Sequence, residues 1–319
     1  MAGFAEQASR RRSRPVWVKC MNQTNVLPRL PAFQNGRCRL SRLAPHVPVL
    51  LLLVPALLVV FVLFVYPLGY SLVYAFRDEK LGVWGLMNFR QAWLLYAKDI
   101  FLTLGVSLAS TFLIGFFAAA IAGYLSLGEN RRAVAILKWL YRWPLFIPVV
   151  VVGQMMRTFL ARNGLMNNAL MALGVIEPLQ AVSFLDWRGM IFTFVWKQLP
   201  FATLLIAGAM AALDRSMLEA ARNLGAGRLR VLCGIVVPQV LPTVLVSLIL
   251  SFVSILSVLS VPMMLNAGSP TMITVDMAWR VASYSDYGVA NALGLISWAM
   301  CAVAACFYLR HGVRERGLQ

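Results

Sequence analysis

Six long runs of apolar residues constrain the fold of this chain more than any other feature. A helix rises about 1.5 Å per residue, so crossing a hydrocarbon core of about 30 Å takes about 20 apolar residues. Runs of roughly that length occupy residues 49–70, 101–125, 143–160, 189–213, 240–264 and 287–309. The sequence therefore predicts a polytopic membrane protein.

These runs predict an all-α fold. Backbone N–H and C=O groups find no water inside lipid, so a spanning segment must satisfy them itself, as a helix does. Charged residues make up only 13% of the chain and the mean hydropathy is +0.75, far from the values of a soluble domain. We expect a bundle of six transmembrane helices over residues 49–310. The first run should stay in the mature protein, because 48 residues precede it and its apolar core is too long for a signal peptide.

The basic residues are distributed unequally between the two predicted faces. Residues 1–48, 129–142, 214–238 and the segment from residue 310 together hold 20 of the 29 Lys and Arg residues, with five acids. The three opposite loops hold eight basic and seven acidic residues. Cytoplasmic loops carry the excess of Lys and Arg, so the first face is predicted to be cytoplasmic. With six spans, both termini then lie in the cytoplasm.

Two short tails flank the predicted bundle. The N-terminal tail, residues 1–48, carries the basic cluster SRRRSR at residues 9–14. No aromatic platform or folded motif accompanies this cluster, so we expect no nucleic-acid partner. We favour the interpretation that this tail contacts anionic membrane lipid as an anchor. Residues 311–319 form the C-terminal cytoplasmic tail.

One polar segment, residues 214–238, separates the fourth and fifth runs. Ser216 followed three residues later by Glu219 matches a capping box, which predicts a helix that begins at the serine. Gly225 then supplies the left-handed backbone that ends a helix. A second short helix should follow, interrupted by Pro238. The segment is predicted to form a helix, a turn and a helix on the cytoplasmic side.

The first of these helices has a predicted face of small and apolar side chains. Spacings of three and four residues would place together Met217, Ala220, Ala221 and Leu224. Alanines let another backbone come close, as at tight helix contacts. We expect this face to dock on a partner, and an amphipathic segment that lies on lipid is the alternative.

The same segment contains a gapped pattern that resembles a known signature. Six of its residues match the EAA signature of the membrane subunits of bacterial type I ABC importers: Glu219, Ala220, Ala221, Gly225, Ile235 and Pro238. Val237 stands where a leucine more often precedes the proline. The resemblance covers roughly residues 49–310.

This resemblance implies the MetI-like fold and the function of a permease subunit in the bacterial inner membrane. Such a subunit pairs with a second permease, homologous or identical, receives solute from an extracytoplasmic binding protein, and docks on a cytoplasmic ABC ATPase dimer. By position, the residues at the ATPase would be Glu219, Ala220, Ala221, Leu224, Gly225, Ile235 and Pro238. The chain has no Walker-type GxxxxGKS or GxxxxGKT loop, so we expect no enzymatic activity and no bound cofactor, with ATP held by the partner.

Prolines and polar residues within the runs indicate a pathway. Alternating access needs helices that bend around a central cavity, and prolines are the usual local cause of bends. They lie in or beside the third, fourth and fifth runs, at Pro144, Pro148, Pro200, Pro242 and Pro262. These three runs are therefore predicted to line the pathway.

Lys197 lies well inside the fourth run, where an unpaired charge costs at least about 2.5 kcal/mol. Three roles are open: contact with an anionic solute group, pairing with a carboxylate of a partner subunit, or extension of the ammonium toward the interface. Other pathway candidates with polar or aromatic side chains are Gln154, Trp196, Gln198, Ser254 and Ser257. Serines in spans also serve helix packing.

A loop between the third and fourth runs carries a further helical pattern. In NGLMNNALMALGVI, residues 163–176, the apolar residues Met166, Leu170 and Leu173 recur at spacings of four and three. They predict a short surface helix that ends at Gly174.

Two segments bear on the solute. LDRSMLEAARNLGAG and GLMNNALMALGVIEP resemble the polyamine, phosphonate, opine and iron branch of importer permeases. A small organic solute such as a polyamine, opine or phosphonate is therefore expected, and a sugar or polyol is the alternative. A secondary transporter driven by an ion gradient stays as a further alternative. The intramembrane acids and inverted repeats common in such proteins are not visible in the sequence.

Overall fold

The computed structural model describes residues 46–77, 82–128, 130–265 and 268–312, which are helical apart from short connections and one isolated bridge between Arg77 and Trp84. The predicted all-α fold is confirmed. The chain divides into two compact units, Met1–Val59 and Val60–Gln319. The basic cluster at residues 9–14 and most of the C-terminal tail lie outside the described residues.

The α-helices of the described residues are, in chain order, α1 His46–Val60, α2 Tyr66–Phe76, α3 Met87–Leu127, α4 Arg131–Leu140, α5 Val149–Leu160, α6 Leu165–Ala172, α7 Trp187–Ala211, α8 Arg215–Asn223, α9 Arg228–Val231, α10 Val237–Ser257, α11 Ser260–Leu265, α12 Ile273–Tyr284 and α13 Tyr287–Gly312. Short 3-10 segments occur at Trp143–Phe146 and Pro178–Gln180, and π-helical turns at Phe61–Val65 and Leu232–Val236. Helix α6 confirms the short helix predicted before Gly174, whose φ is +69°.

Five helical segments of the described chain are long and apolar enough to cross a membrane: Leu53–Phe76, Met87–Leu127, Trp187–Ala211, Arg228–Ser257 and Tyr287–Cys306. They correspond to every predicted run except the third. The largest difference is at α3, which begins well before the predicted residue 101 and has a local break in helical backbone at Tyr96.

The third predicted span, residues 143–160, is not one straight helix. A 3-10 segment ends at Phe146, Ile147 is extended, and α5 begins only after Pro148. The helical stretches on either side, Arg131–Phe146 and Val149–Ala172, meet at 105°. The break lies at Pro148 because proline keeps the preceding residue extended and lacks an N–H. Six spans result if this bent pair counts as one crossing.

Two prolines follow π-helical turns instead of ending helices. Pro67 and Pro238 are each the second residue of an α-helix that continues directly from a π turn, Phe61–Val65 and Leu232–Val236 respectively. In each π turn the backbone hydrogen bond joins residues five apart in sequence instead of four. This widens the turn ahead of the proline ring. A helix can therefore continue through both prolines.

Helices α3, α7 and α10 form the centre of the second unit. The contact between α3 and α7 is the most extensive, and α10 packs on both. Two glycines of α3 let α10 and the π turn before it approach closely. A Cβ at Gly115 would lie 2.9 Å from Leu248 Cδ2, and one at Gly123 would lie 2.7 Å from Leu232 Cδ1. Small residues serve the same purpose at other helix contacts in membranes.

Buried asparagines satisfy carbonyls at two helix ends. The Nδ2 atom of Asn88 donates to three carbonyls at the end of α2, over 3.0–3.3 Å. The Nδ2 atom of Asn167 donates to two carbonyls just after α5 and to that of Val182, over 2.9–3.2 Å. Both residues are nearly fully buried. Helix ends leave carbonyls without intrahelical partners, and these amides supply the missing donors.

Candidate functional site

Helix α8 begins at Asp214, not at Ser216. The Asp214 carboxylate accepts the N–H of Ser216 at 2.9 Å and is the N-cap, and the same hydrogen bond lowers the pKa of Asp214. The predicted capping box between Ser216 and Glu219 was therefore wrong, because the serine already lies in the first turn. An aspartate caps well since its charge also favours the positive end of the helix dipole.

The end of α8 is a complete Schellman motif centred on Gly225. The N–H of Gly225 donates to the Arg222 carbonyl at 2.9 Å, and that of Ala226 donates to the Ala221 carbonyl at 3.1 Å. The φ of Gly225 is +81°, which confirms the predicted left-handed turn. A Cβ added there would meet nothing within 4 Å. The backbone angle, and not the available space, is therefore what requires glycine.

The side chains of α8 divide differently from the predicted face. Leu218 and Ala221 pack on the hydrophobic core to which α3, α7 and α10 contribute. Ala220 and Leu224 are exposed, and the exposed fraction of Leu224 is 88%. The predicted face is therefore only partly exposed, because Met217 and Ala221 are half-buried. The reason is that the larger Leu218 sets the buried stripe and places Ala221 beside it, one turn on. Glu219 is also exposed.

The second helix of the segment is not short. Helix α9, the π turn and α10 form one uninterrupted stretch, Arg228–Ser257. Pro238 does not interrupt it, contrary to the prediction, because the π turn precedes it. Ile235 is half-buried within that turn. Residues 214–238 are therefore a helix, a tight turn and the start of a span.

Two side-chain contacts fasten α8 to neighbouring helices. The Nη2 atom of Arg222 donates to the Leu127 carbonyl at 3.4 Å, at the C-terminal end of α3. The Nε2 atom of Gln239, in α10, donates to the Met217 sulfur at 3.1 Å. The Arg222 charge also complements the negative end of the α3 dipole. Helix α8 is thus held at the ends of α3 and α10.

Two of the predicted pathway residues line one cavity. Gln154 and Trp196 face a largely apolar cavity of about 750 Å³ between α5, α7 and α11. Aromatic rings of Phe159 and Phe192 form further parts of its wall, and Thr158 adds a hydroxyl. The lining of this cavity contains no charged residue.

The other predicted pathway residues lie elsewhere. Ser257 lines a separate cavity of about 570 Å³ among α10, α12 and α13, and its hydroxyl donates to the Val253 carbonyl at 2.7 Å. Gln198 and Ser254 are half-buried within α7 and α10 and line neither cavity. Of the six candidates, only Gln154 and Trp196 line the same cavity.

Lys197 binds backbone carbonyls. Its Nζ atom donates to the carbonyl oxygens of Ile147 at 2.6 Å and Pro144 at 2.7 Å, and more weakly to that of Leu145 at 3.4 Å. These carbonyls belong to the bend before α5, where helical partners are missing. Hydrogen bonds from a charged donor are roughly twice as strong as neutral ones. None of the three roles that the sequence suggested includes this contact, in which the ammonium donates hydrogen bonds to the carbonyls of the bend.

A buried polar cluster joins α3 to the start of α12. The Asp99 carboxylate, 5% exposed, accepts the N–H of Thr271 at 2.6 Å. The Thr103 hydroxyl, one turn along α3, accepts the N–H of Ile273 at 3.0 Å. Sequence reasoning missed Asp99, because it lies just before the apolar run and the expected span excluded it. The helix continues upstream of the run, so the acid is within α3.

Charged residues of α12 extend this cluster. Arg280 donates to the Tyr96 hydroxyl at 2.6 Å and forms an ion pair with Asp286 at 3.3 Å. The buried Oδ2 atom of Asp276 has no hydrogen-bond partner among the described residues. Burial raises the pKa of Asp276 to about 7, the Asp99 carboxylate adds to the rise, and Arg280 opposes it.

Similarity to known proteins extends over most of these elements. The model of a family described as "Binding-protein-dependent transport system inner membrane component" matches residues 112–314. That range runs from within α3 to the end of the described chain. It includes α8, the Gly225 turn and the cavity of Gln154 and Trp196.

Individual relatives are membrane subunits of transport systems. The chain is 25% identical over 205 residues to the sulfoquinovosyl glycerol transport system permease protein SmoG of Agrobacterium fabrum, covering 60% of this chain and 66% of that protein. It is 26% identical over 284 residues to the trehalose/maltose transport system permease protein MalF of Thermococcus litoralis, covering 82% of this chain and 92% of that protein.

A third relative and a solved structure are also similar. The putative 2-aminoethylphosphonate transport system permease protein PhnU of Salmonella paratyphi A is 30% identical over 269 residues, covering 78% of this chain and 86% of that protein. A chain from the crystal structure of a bacterial alginate ABC transporter, in complex with an alginate pentasaccharide-bound periplasmic protein, superposes with a TM-score of 0.70. It shares 21% identity, and the match covers 86% of this chain and 98% of that one.

Replacing Lys197 tests the contact at the bend. Lys197→Met leaves the carbonyls of Pro144 and Ile147 without their charged donor, and should lower stability by about 1–3 kcal/mol. Lys197→Arg keeps a charged donor and should retain most of that stability. The thermal unfolding midpoint of the purified protein in detergent measures the difference, with Gln198→Met as a neighbouring control for added apolar bulk. A Lys197→Met protein that unfolds like the wild type but loses uptake would contradict this role and favour solute contact.

The raised pKa of Asp276 predicts how stability depends on pH. The folded-state pKa of about 7 lies above the ordinary value of 3.8, so the folded state binds an extra proton between these values. Stability from this group is fully present below about pH 4 and is lost as the pH rises through about 7. Asp276→Asn should flatten the fall in unfolding midpoint between about pH 4 and pH 7. Glu219→Gln, which removes an exposed carboxylate, is the control, and an unchanged slope in Asp276→Asn would refute the assignment.

Proposed function

The chain belongs to the family of binding-protein-dependent transport system inner membrane components, the permease subunits of ABC importers, and on this premise we propose that residues 214–238 couple it to a separate ATPase. The observation that carries the proposal is the continuity of the helix. The tight turn at Gly225 leads directly into Arg228–Ser257, which continues as one helix from the coupling segment into a span. A displacement of α8 is therefore transmitted to that span without a flexible loop between them.

The exposed side of α8 supports docking on a protein. Ala220 and Leu224 are exposed there, and Leu229 is 77% exposed just beyond the turn. Apolar side chains grouped on a polar face mark an interaction site. Ala220 is small enough for a second backbone to approach closely, and the Glu219 charge orients the partner. We assign Glu219, Ala220 and Leu224 to direct contact with the ATPase.

The remaining residues of the signature position this surface and are not assigned to direct contact with the ATPase. Ala221 packs α8 on the core, and Gly225 allows the tight turn. Ile235 lies half-buried in the π turn, and Pro238 follows that turn. Each of these residues fixes the direction in which α8 leaves the span.

We propose that α4 and α8 lie on the cytoplasmic side of a bacterial inner membrane and that both termini are cytoplasmic. The excess of Lys and Arg in the segments of that face, 20 of 29, supports this orientation. An ABC ATPase dimer binds there and holds the ATP. A second permease subunit, homologous or identical, completes the pathway, and an extracytoplasmic binding protein delivers the solute.

The cavity of Gln154 and Trp196 is the part of the pathway that this chain contributes. It lies along α5, immediately after the 105° bend, and against α7. A change in the bend would move Gln154 relative to Trp196, because the two residues are on different sides of the contact between α5 and α7. Alternating access requires such a change in cavity shape.

A neutral sugar or glycoside suits this cavity best. Sugar rings pack their C–H faces on aromatic side chains such as Trp196, and their hydroxyls bond to groups such as the Gln154 amide. A polyamine would need carboxylates in the lining and a phosphonate would need cations, yet the lining is uncharged. The name of one relative, which refers to trehalose and maltose, agrees with a neutral sugar.

A 2-aminoethylphosphonate is the second candidate solute. The observation that favours it is the 30% identity over 269 residues with the permease named for that compound. In that case the counter-charge for the phosphonate would come from another subunit, because Lys197 is committed to the bend. The relatives reported above give no support to a polyamine, which the sequence analysis favoured.

Two neighbouring glycines test the coupling segment. Gly225→Val places a β-branched residue at φ +81°, which costs at least about 1–2 kcal/mol and should distort the turn. Gly227→Val adds the same side chain where φ is −65° and space is open, so it should be nearly neutral. We expect Gly225→Val to reduce transport-linked ATP hydrolysis at least about tenfold and Gly227→Val to change it less than about twofold.

Charge reversal at Glu219 tests the docking surface itself. Glu219→Arg should prevent co-purification of the ATPase while leaving membrane insertion intact, because the side chain is exposed and supports no fold contact. Co-purification and uptake are measured together. Normal transport by both Glu219→Arg and Gly225→Val would refute the coupling role.

Uptake by the reconstituted transporter tests the solute. Labelled maltose and 2-aminoethylphosphonate are compared, with the partner subunits and binding protein present. Trp196→Ala removes an aromatic contact worth about 0.5–1.5 kcal/mol and should raise the KM for the sugar about two- to tenfold. Trp298→Ala, an exposed tryptophan outside the cavity, is the control. Uptake of the phosphonate alone would select the second candidate without affecting the coupling proposal.

A further inference from the structure

Two buried oxygen atoms at the start of α12 have no hydrogen-bond partner among the described residues. They are the Oγ1 atom of Thr271 and the Oδ2 atom of Asp276. Thr271 is 9% exposed and precedes the helix, and Asp276 lies in its first turn. Buried polar groups are almost always hydrogen-bonded, so two such atoms at one helix end indicate that a further species binds there.

The Asp99 carboxylate of α3 reaches the same helix end. It accepts the Thr271 N–H at 2.6 Å, and Asp99 is nearly fully buried. Standard bond lengths keep a threonine Oγ1 within about 4 Å of its own backbone nitrogen, so the Thr271 hydroxyl lies beside this carboxylate. The charges of Asp99 and Asp276 are close enough to repel each other. One hydroxyl and two carboxylates, from two helices, therefore meet at this buried end of α12.

Positive charge near this end of α12 does not balance the carboxylates. Arg280 forms its ion pair with Asp286, and its Nε atom donates to the Tyr96 hydroxyl. The N-terminal end of a helix contributes only about half an elementary charge. Asp99 and Asp276 thus lack a full counter-charge, whereas buried charges are normally paired or bound to a metal ion.

The chemistry of these groups favours a monovalent metal cation. A water molecule could bond to both free oxygen atoms, but it would leave the two carboxylates without a counter-charge. Ca²⁺ takes about six to eight oxygen ligands and Mg²⁺ usually keeps several waters, which is more than three buried side chains provide. Alkali cations exchange their hydration shell for protein oxygen atoms more readily, as they do in channels.

We propose that Asp99, Thr271 and Asp276 form a binding site for a monovalent metal cation such as Na⁺. The two carboxylates supply the charge, and the Thr271 hydroxyl supplies a third oxygen ligand. The bound cation joins the start of α12 to α3, where the Thr103 hydroxyl already accepts the Ile273 N–H. The proposal does not depend on the coupling role of α8 or on the identity of the solute.

Thermal unfolding tests the site without a transport assay. The full chain, assembled with its partner subunits in detergent, is unfolded at about pH 8, above the Asp276 pKa of about 7. The buffers contain NaCl, KCl or choline chloride at the same concentration of about 150 mM, so that surface charges are screened equally. Choline is too large for a buried site. We expect an unfolding midpoint about 3–5 °C higher in NaCl than in choline chloride, because a bound ligand stabilises the folded state.

Variants locate the response to Na⁺. Asp276→Asn removes the charge of one ligand and Thr271→Val removes the oxygen of another, and both keep the shape of the side chain. Each should abolish most of the difference between NaCl and choline chloride. Glu177→Gln removes an exposed carboxylate outside the cluster and should keep the difference. Binding of radioactive Na⁺, measured by scintillation proximity, should fall at least about tenfold in Asp276→Asn and stay unchanged in Glu177→Gln.

Protons compete with the cation for the Asp276 carboxylate, so the pH dependence predicted above applies to a buffer without alkali cations. An equal effect of KCl and NaCl would support a site that does not select between them. Equal midpoints in all three salts, or a response to Na⁺ that persists in both Asp276→Asn and Thr271→Val, would overturn the assignment. Replacement of Na⁺ by Ca²⁺ at a far lower concentration would identify a divalent site instead.

Discussion

Carbonyl groups at helix ends are the constraint on which this structure depends. A helix that ends in or near a bilayer has carbonyls with no intrahelical partner and little water to bond. Within the described chain, side chains from other elements supply the donors: Asn88 at the end of α2, Arg222 at α3, Asn167 at α5 and Lys197 at the bend before α5. Each donor comes from a different element, so each satisfied helix end is also a tertiary contact.

The candidate pathway depends on one of these contacts. Lys197 holds the bend from which α5 starts, and Trp196, the preceding residue of α7, faces Gln154 of α5 across the cavity. The same two helices therefore carry both the contact that fixes the bend and the side chains that line the cavity. A similar relation holds at α8, where Arg222 connects the end of α3 to the coupling segment.

Sequence patterns predicted the features that depend on local chemistry. Apolar length located five spans, and the left-handed turn at Gly225 follows from glycine alone. Pro144 and Pro148 indicated a bend beside the third run, but its 105° angle and its contact with Lys197, about fifty residues away along the chain, were not predicted. The start of α8 was misplaced because Asp214 and Ser216 are both good caps and only one can be used. The meeting of Gln154 with Trp196 depends on the angle between two helices, which no local pattern encodes.

The π turn at Leu232–Val236 has a consequence for the angular position of the coupling segment. A π turn contains one residue more than the α-helical turn it replaces, and one residue corresponds to about 100° of rotation around a helix axis. Deleting a single residue there would restore a regular α-helix and swing α8 about a quarter turn around the span. The direction in which α8 projects from the span is therefore set by one inserted residue.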